Sequence, residues 1–203
     1  MATQTARTVR WHPDGARRDV IARQAARLFA LRGYHGASLR EIAATSGVRQ
    51  PTLYSHYPSK DAILLEVVNR YFDALLPRLE QASDAPGNAA HRMGAMLRAA
   101  VEVGVEQRNE FLTTSNNWEI IKTNPDLAVL TDRRDAALAL WRSVLTDGAH
   151  EGSLRSVDSY AVLWIIASAV NGMADLRYAA TGADASPPTE TLISVLVDGL
   201  APR

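Results

Sequence analysis

Between Ser38 and Lys60 the chain reads SLREIAATSGVRQPTLYSHYPSK, and the punctuation of that run leaves little choice of local fold. The opening SLRE has the form of a capping box, in which the Ser38 hydroxyl accepts the Glu41 amide and the Glu41 carboxylate reaches back to the Ser38 amide. Leu39, Ile42 and Ala43 then share one helical face. Gly47 stands where a chain leaving a helix turns to positive φ, and Val48 can fold back beneath the turn. Pro51 suits the first turn of a following helix, where its missing amide costs nothing. That second helix carries Arg49, Gln50, Thr52, Tyr54, Ser55, His56 and Tyr57, poor in apolar side chains and rich in donors. The pattern is helix, tight turn, helix, with the second helix made to be seen rather than buried.

Charge distribution agrees with an exposed, anion-seeking end. The whole chain of 203 residues is neutral, but residues 1–60 hold ten Arg or Lys against three Asp or Glu, a net charge of +7, and the remainder carries −7. A basic end of this kind is the electrostatic footprint of phosphate contact, and an acidic body is repelled by a duplex. With 47% apolar and 22% charged residues the chain can bury a sizeable core.

Residues 1–14 lack apolar periodicity and read as a flexible basic arm. A first helix is expected from Asp14 or Gly15, with Ile21, Ala25, Leu28 and Phe29 inward and Gly33 as its stop. Ser59 can cap a long helix with Leu64, Val67, Val68, Tyr71, Phe72, Leu75, Leu76 and Leu79 at helical spacing, kinked or thinned near Pro77. The run SDAPGN at 83–88 is a loop. A helix through Met93, Leu97, Ala100 and Val101 follows, then one short helix holding Phe111, Trp118 and Ile121. Thr123, Asn124 and Pro125 open a helix running to Gly148, and two last helices cover about 157–178 and 188–200. No segment alternates as a strand does, so the fold class is all-α.

The segment from about Arg17 to Val68 resembles the DNA-binding domain of the TetR family of transcriptional regulators. The resemblance lies in RDVIARQAARLFALRGY, SLREIA, SGV, PTLYSHYPSK and AILLEVV, in order and spacing, and PTLYSHY is close to the recognition helix of the tetracycline repressor. It implies a helix-turn-helix DNA-binding domain over 15–60, with its motif at about 38–57. This would be continuous with a helical regulatory and dimerisation domain over 61–203. It places Ser38, Arg40, Arg49, Gln50, Thr52, Tyr54, His56, Tyr57 and Lys60 as DNA-contact candidates. Arg and Gln can bond to guanine and adenine edges, and Lys60 reads as a phosphate clamp. Leu53 is core, and Tyr57 and His56 can equally be structural.

The body offers weaker signals. Trp118, Trp141 and Trp164 lie on three different helices, and with Phe111 they can line an apolar cavity or simply pack as core. Asn171 and Arg177 are polar groups in apolar helix sequence and could orient a ligand. Ala161, Ile165, Ala169, Gly172 and Leu176 form one face whose small residues permit close helix approach. The resemblance implies that the last two helices build a two-fold dimer.

The expected function is a repressor that leaves a palindromic double-stranded DNA operator when a small, mainly hydrophobic effector binds. The alternatives are a regulator without a metabolite ligand, a helical enzyme, or a general DNA-coating protein. There is no cysteine, the five histidines are scattered, and neither an HExxH nor a GxSxG motif occurs. No catalytic residue, metal or cofactor is therefore expected, and with no long apolar run the chain reads as cytoplasmic, without a membrane partner.

Overall fold

The computed structural model describes residues 13–179 and 188–202. The elements, in chain order, are α1 (Pro13–Gly36), α2 (Leu39–Thr45), α3 (Gln50–His56), α4 (Lys60–Ser83), α5 (Ala89–Glu106), α6 (Arg108–Asn116), α7 (Trp118–Thr123), α8 (Ala128–Glu151), α9 (Ser159–Ala179) and α10 (Thr189–Gly199). A 3-10 turn at Pro125–Leu127 leads into α8, and no strand occurs among the described residues. Residues 1–12 of the expected arm and the side chains of Leu176 and Arg177 lie outside what is described, and the last two residues of that expected arm, Pro13 and Asp14, already belong to α1.

The spine is α4. Its buried residues Ile63, Leu64, Val67, Val68, Tyr71, Phe72, Leu75 and Leu79 recur at three and four, so one stripe meets α1, α5, α6 and α8. Each such side chain contributes about 1.5–3 kcal/mol by leaving water. One apolar core runs from Ile21 in α1 to Leu200 after α10, so the N-terminal helices are continuous with the body.

Several expectations shift, each for a local reason. The helix α1 does not stop at Gly33. It kinks there (φ 69°, ψ 170°) and resumes for a last turn to Gly36. The kink takes the Tyr34 amide out of the helical ladder, and the side chain of Asn117 accepts it at 2.7 Å. Asn117 also donates to the Thr113 carbonyl at 2.7 Å. Its own backbone leaves helical geometry (φ −114°, ψ 16°), so the single expected helix over Phe111 to Ile121 is two, α6 and α7.

The helix α4 runs through Pro77 to Ser83. Pro77 and Asp73 are both exposed, so the carbonyl that loses its donor there can be met by water. Nor does α8 end at Gly148. A side-chain carbon at that position would sit 2.5 Å from Leu154, whose amide donates to the Gly148 carbonyl at 2.9 Å. The glycine permits this close approach, and the stop is Gly152 at φ 76°.

Candidate nucleic-acid interface and ligand cavity

The turn between α2 and α3 is closed by backbone bonds. Gly47 (φ 67°) donates to the Ala44 carbonyl at 3.2 Å, and Val48 donates to that of Ala43 at 3.0 Å. This is a Schellman motif, and it fixes the direction in which α3 leaves. Ser38 caps α2 by accepting the Glu41 amide at 3.1 Å. The other half of the expected box is replaced, because the Glu41 carboxylate pairs with Arg32 on α1.

Charge and ring contacts then seat α3 on its neighbours. Arg18 donates to the His56 carbonyl at 3.1 Å, pairs with Glu66 at 3.1 Å, and lies 4.4 Å over the ring of Tyr57. Arg70 ties Glu66 to Asp19, so α1, α3 and α4 are linked by one network. The expectation that Tyr57 touches DNA is corrected: its side chain is fully buried, and its hydroxyl donates to the Arg18 carbonyl at 3.2 Å. Burial, with Glu66 nearby, pushes this phenol up to about 12. Leu53 is also wholly inside.

What remains outward on α2 and α3 is polar. Arg40, Arg49, Gln50 and Ser55 are exposed, and Tyr54 keeps 48% of its surface. Arg49 is the residue before α3 and Gln50 its first residue, so both sit at the positive end of the helix dipole. Thr52 and His56 are half-buried on its flanks. Lys60 opens α4 with its ammonium 4.3 Å over the ring of Tyr34, whose hydroxyl donates to Asp61. Burial lowers the Lys60 pKa, and the Asp61 carboxylate opposes that shift.

A cavity of about 250 Å³ opens in the body between α4, α6, α7, α8 and α9. Phe111, Trp118, Trp141 and Asn171 all line it. Trp164 does not: its side chain is 66% exposed, on a different face of α9 from Leu163, Ile166 and Val170, which line the cavity. The expectation that Trp164 holds an effector is corrected accordingly. Tyr71, Phe72 and Arg134 line the cavity too and were not singled out in the sequence. Tyr71 and Phe72 read there as ordinary core positions of α4, and nothing marks Arg134 among the charges of α8. Tyr71 packs its ring 5.5 Å from Phe111, and burial raises its phenol above the ordinary value. Arg134 places its guanidinium 4.3 Å over the Trp118 ring.

The helix α6 faces both ways. Phe111, Thr114 and Ser115 meet the cavity, while Thr113 donates to the Ala26 carbonyl of α1 at 3.0 Å and Asn117 holds Tyr34. On α9 and α10 an apolar surface is left uncovered. Tyr160, Trp164, Ile165 and Val195 are exposed there, beside Ala161 and Gly172, and open space surrounds Gly172 where a side chain would begin. Ala169 is half-buried. Among the described residues no helix is long and apolar enough to cross a membrane, and no three His, Asp or Glu groups gather as a metal would require.

Residues 21–67 match the family model described as bacterial regulatory proteins of the tetR family, and residues 86–175 match that of the tetracyclin repressor-like C-terminal domain. The chain belongs to the TetR family. The TetR-family repressor KstR2 of Mycobacterium tuberculosis is 26% identical over 140 residues, covering 69% of this chain and 70% of that one. The activator FasR of Mycolicibacterium smegmatis is 39% identical over 90 residues, 44% of this chain and 39% of its own. The KstR2 structure, titled as a ketosteroid transcriptional regulator, superposes with a TM-score of 0.82 at 22% identity, covering 98% of this chain and all of that one. AibR, solved with isovaleryl coenzyme A and operator DNA, gives 0.72 at 22% identity over 92% of this chain and 98% of its own. The TetR fold therefore covers the whole length described, and the protein is a transcriptional regulator of that family.

Proposed function

We propose that the protein is a homodimer that binds a palindromic operator through α3 and is released when a small organic effector enters the cavity. The observation that carries this reading is the contrast along α3, where Leu53 and Tyr57 are fully buried while Arg49, Gln50 and Tyr54 face solvent. A helix anchored in this way presents base-reading side chains with little freedom left to lose on binding. Arg40 and Lys60 flank it as phosphate contacts, Ser38 can donate to the backbone at the start of α2, and Thr52 and His56 border the face. The DNA-reading unit is then 15–60 and the regulatory unit 61–203.

Two substitutions separate positioning from reading. Lys60→Ala should weaken binding to every duplex alike and reduce the salt slope by about one, the loss of one phosphate contact. Gln50→Ala should relax base preference at one position, at a cost of about 1–3 kcal/mol. Fluorescence anisotropy over a salt series with operator and scrambled duplexes checks both. Equal loss on the two duplexes for Gln50→Ala would count against a base-reading role.

The uncovered surface of α9 and α10 supports dimerisation, because exposed aromatic and aliphatic groups in one patch need a partner. Ala161, Ile165, Ala169 and Gly172 would face the symmetry mate, joined by Tyr160 and Trp164. Gly172→Leu should raise the dimer dissociation constant at least tenfold, as measured by sedimentation equilibrium. A variant that dimerises as the parent does would remove Gly172 from the interface.

A route from cavity to DNA follows from α6, which lines the cavity on one face and holds α1 on the other. An effector acts only if it favours one arrangement of α6 over the other, and operator must then weaken effector binding by the same factor. The acyl ligand in AibR supports a cavity of this fold as a small-molecule site.

A further inference from the structure

Among the described residues that line the cavity, Arg134 is the one cation, and no carboxylate among them forms an ion pair with it. Arg134 makes no ion pair among the described residues, whereas its neighbour Arg133 is committed to Asn69 at 2.9 Å and Asp73 at 2.6 Å. Arg78, Arg92 and Arg98 of the body are likewise paired with acids. The groups facing Arg134 electrostatically are Asp135, Tyr160 and Glu119, and Glu119 is already held by Lys122 at 2.6 Å. Stacking on Trp118 occupies the flat face of the guanidinium and leaves its edge, where the N–H donors lie, free for a planar acceptor. Partial burial lowers the Arg134 pKa, the direction expected of a cation waiting for an anion at the edge of an apolar site.

A second polar group faces the same space. Tyr71 lines the same cavity, its side chain is buried, and its hydroxyl has no hydrogen-bond partner among the described residues. The ring is buried, but the hydroxyl is not among the enclosed polar atoms left without a partner, so it opens onto the cavity as a donor.

We propose that the ligand of this cavity is an amphipathic anion. Its apolar body lies among Phe72, Phe111, Trp141 and Ile166, and its carboxylate or phosphate head takes a bidentate bond from Arg134 at the rim. Tyr71 donates to an oxygen carried further along the body. This inference rests on the reading of the cavity as an effector site.

Titration calorimetry with octanoate, octyl phosphate and 1-octanol tests it, because the three probes share a tail and differ in the head. At least one anion should bind ten or more times tighter than the alcohol, and the tighter of the two identifies the head group. Arg134→Ala should bring that anion to the level of the alcohol and leave the alcohol within about twofold. Arg134→Lys should restore part of the preference, since it keeps the charge without the fork. Equal binding of all three probes, or an anion preference that survives Arg134→Ala in a variant with unchanged melting temperature, overturns the anion and leaves the cavity reading standing. Binding by none of the three overturns both.

Discussion

Tyr57→Ala should lower stability by about 3–5 kcal/mol, the usual cost of emptying a large aromatic site. It should also abolish operator binding. The ring is fully buried and supports the Arg18 guanidinium at 4.4 Å, so its loss removes the wall on which α1, α3 and α4 meet. Tyr57→Phe keeps the wall and loses only the bond to the Arg18 carbonyl, a change of about 1 kcal/mol. Tyr54→Ala, less than one turn away but half exposed, should leave stability within about 0.5 kcal/mol while weakening DNA binding. Urea melts beside anisotropy titrations separate these variants. If Tyr54→Ala destabilised the fold as strongly as Tyr57→Ala, the division between anchoring and reading positions on α3 would be wrong.

Asn117→Leu should remove about 1–3 kcal/mol, because the Tyr34 amide, set free by the Gly33 kink, then has no acceptor inside the protein. Leucine keeps the branching and the number of side-chain heavy atoms of asparagine but removes both its bonds, the one accepted from the Tyr34 amide and the one donated to the Thr113 carbonyl. The functional consequence should be larger than the change in stability suggests. The bond to the Tyr34 amide and that of Thr113 to the Ala26 carbonyl join the cavity-lining helix α6 to α1, and α1 in turn seats α3. In Asn117→Leu the amide of Tyr34 should lose hydrogen-exchange protection, and an effector that releases the parent from DNA should release the variant less completely. Retained protection would mean that another group satisfies the amide. Unchanged release would place the coupling elsewhere, through α4.

Much of this architecture is legible in the chain because it depends on local chemistry. Ser38, Gly47, Pro51 and Ser59 each mark a helix boundary by a cap, a positive φ or a missing amide, and the boundaries fall where those groups stand. The stripe of α4 is a period, and periods survive folding. What sequence could not supply are pairings between distant elements. Tyr57 follows the core residue Leu53 by four and could be structural on that spacing, but its burial rests on distant partners, among them Arg18, 39 residues earlier in sequence, whereas Tyr54 stays half exposed. Glu41 fits a capping box until Arg32 takes its carboxylate. Trp141 and Trp164 are both tryptophans on apolar helices, yet one is buried beside the cavity and the other projects from the uncovered face of α9. Asn117 gave no local signal of its role, since that role exists only where α1 kinks against α6.

Selection of bound duplexes from a random pool, by the purified dimer at physiological salt, tests the central claim most directly. The account predicts enrichment of one inverted repeat whose half-sites are centred about one helical turn apart, because a two-fold pair of α3 helices reads a two-fold sequence. Gln50→Ala should tolerate change at the base that Gln50 reads and keep the spacing. A pool that stays random after repeated rounds, while the protein still binds DNA in a salt-dependent way, would contradict a sequence-reading regulator and leave only electrostatic coating.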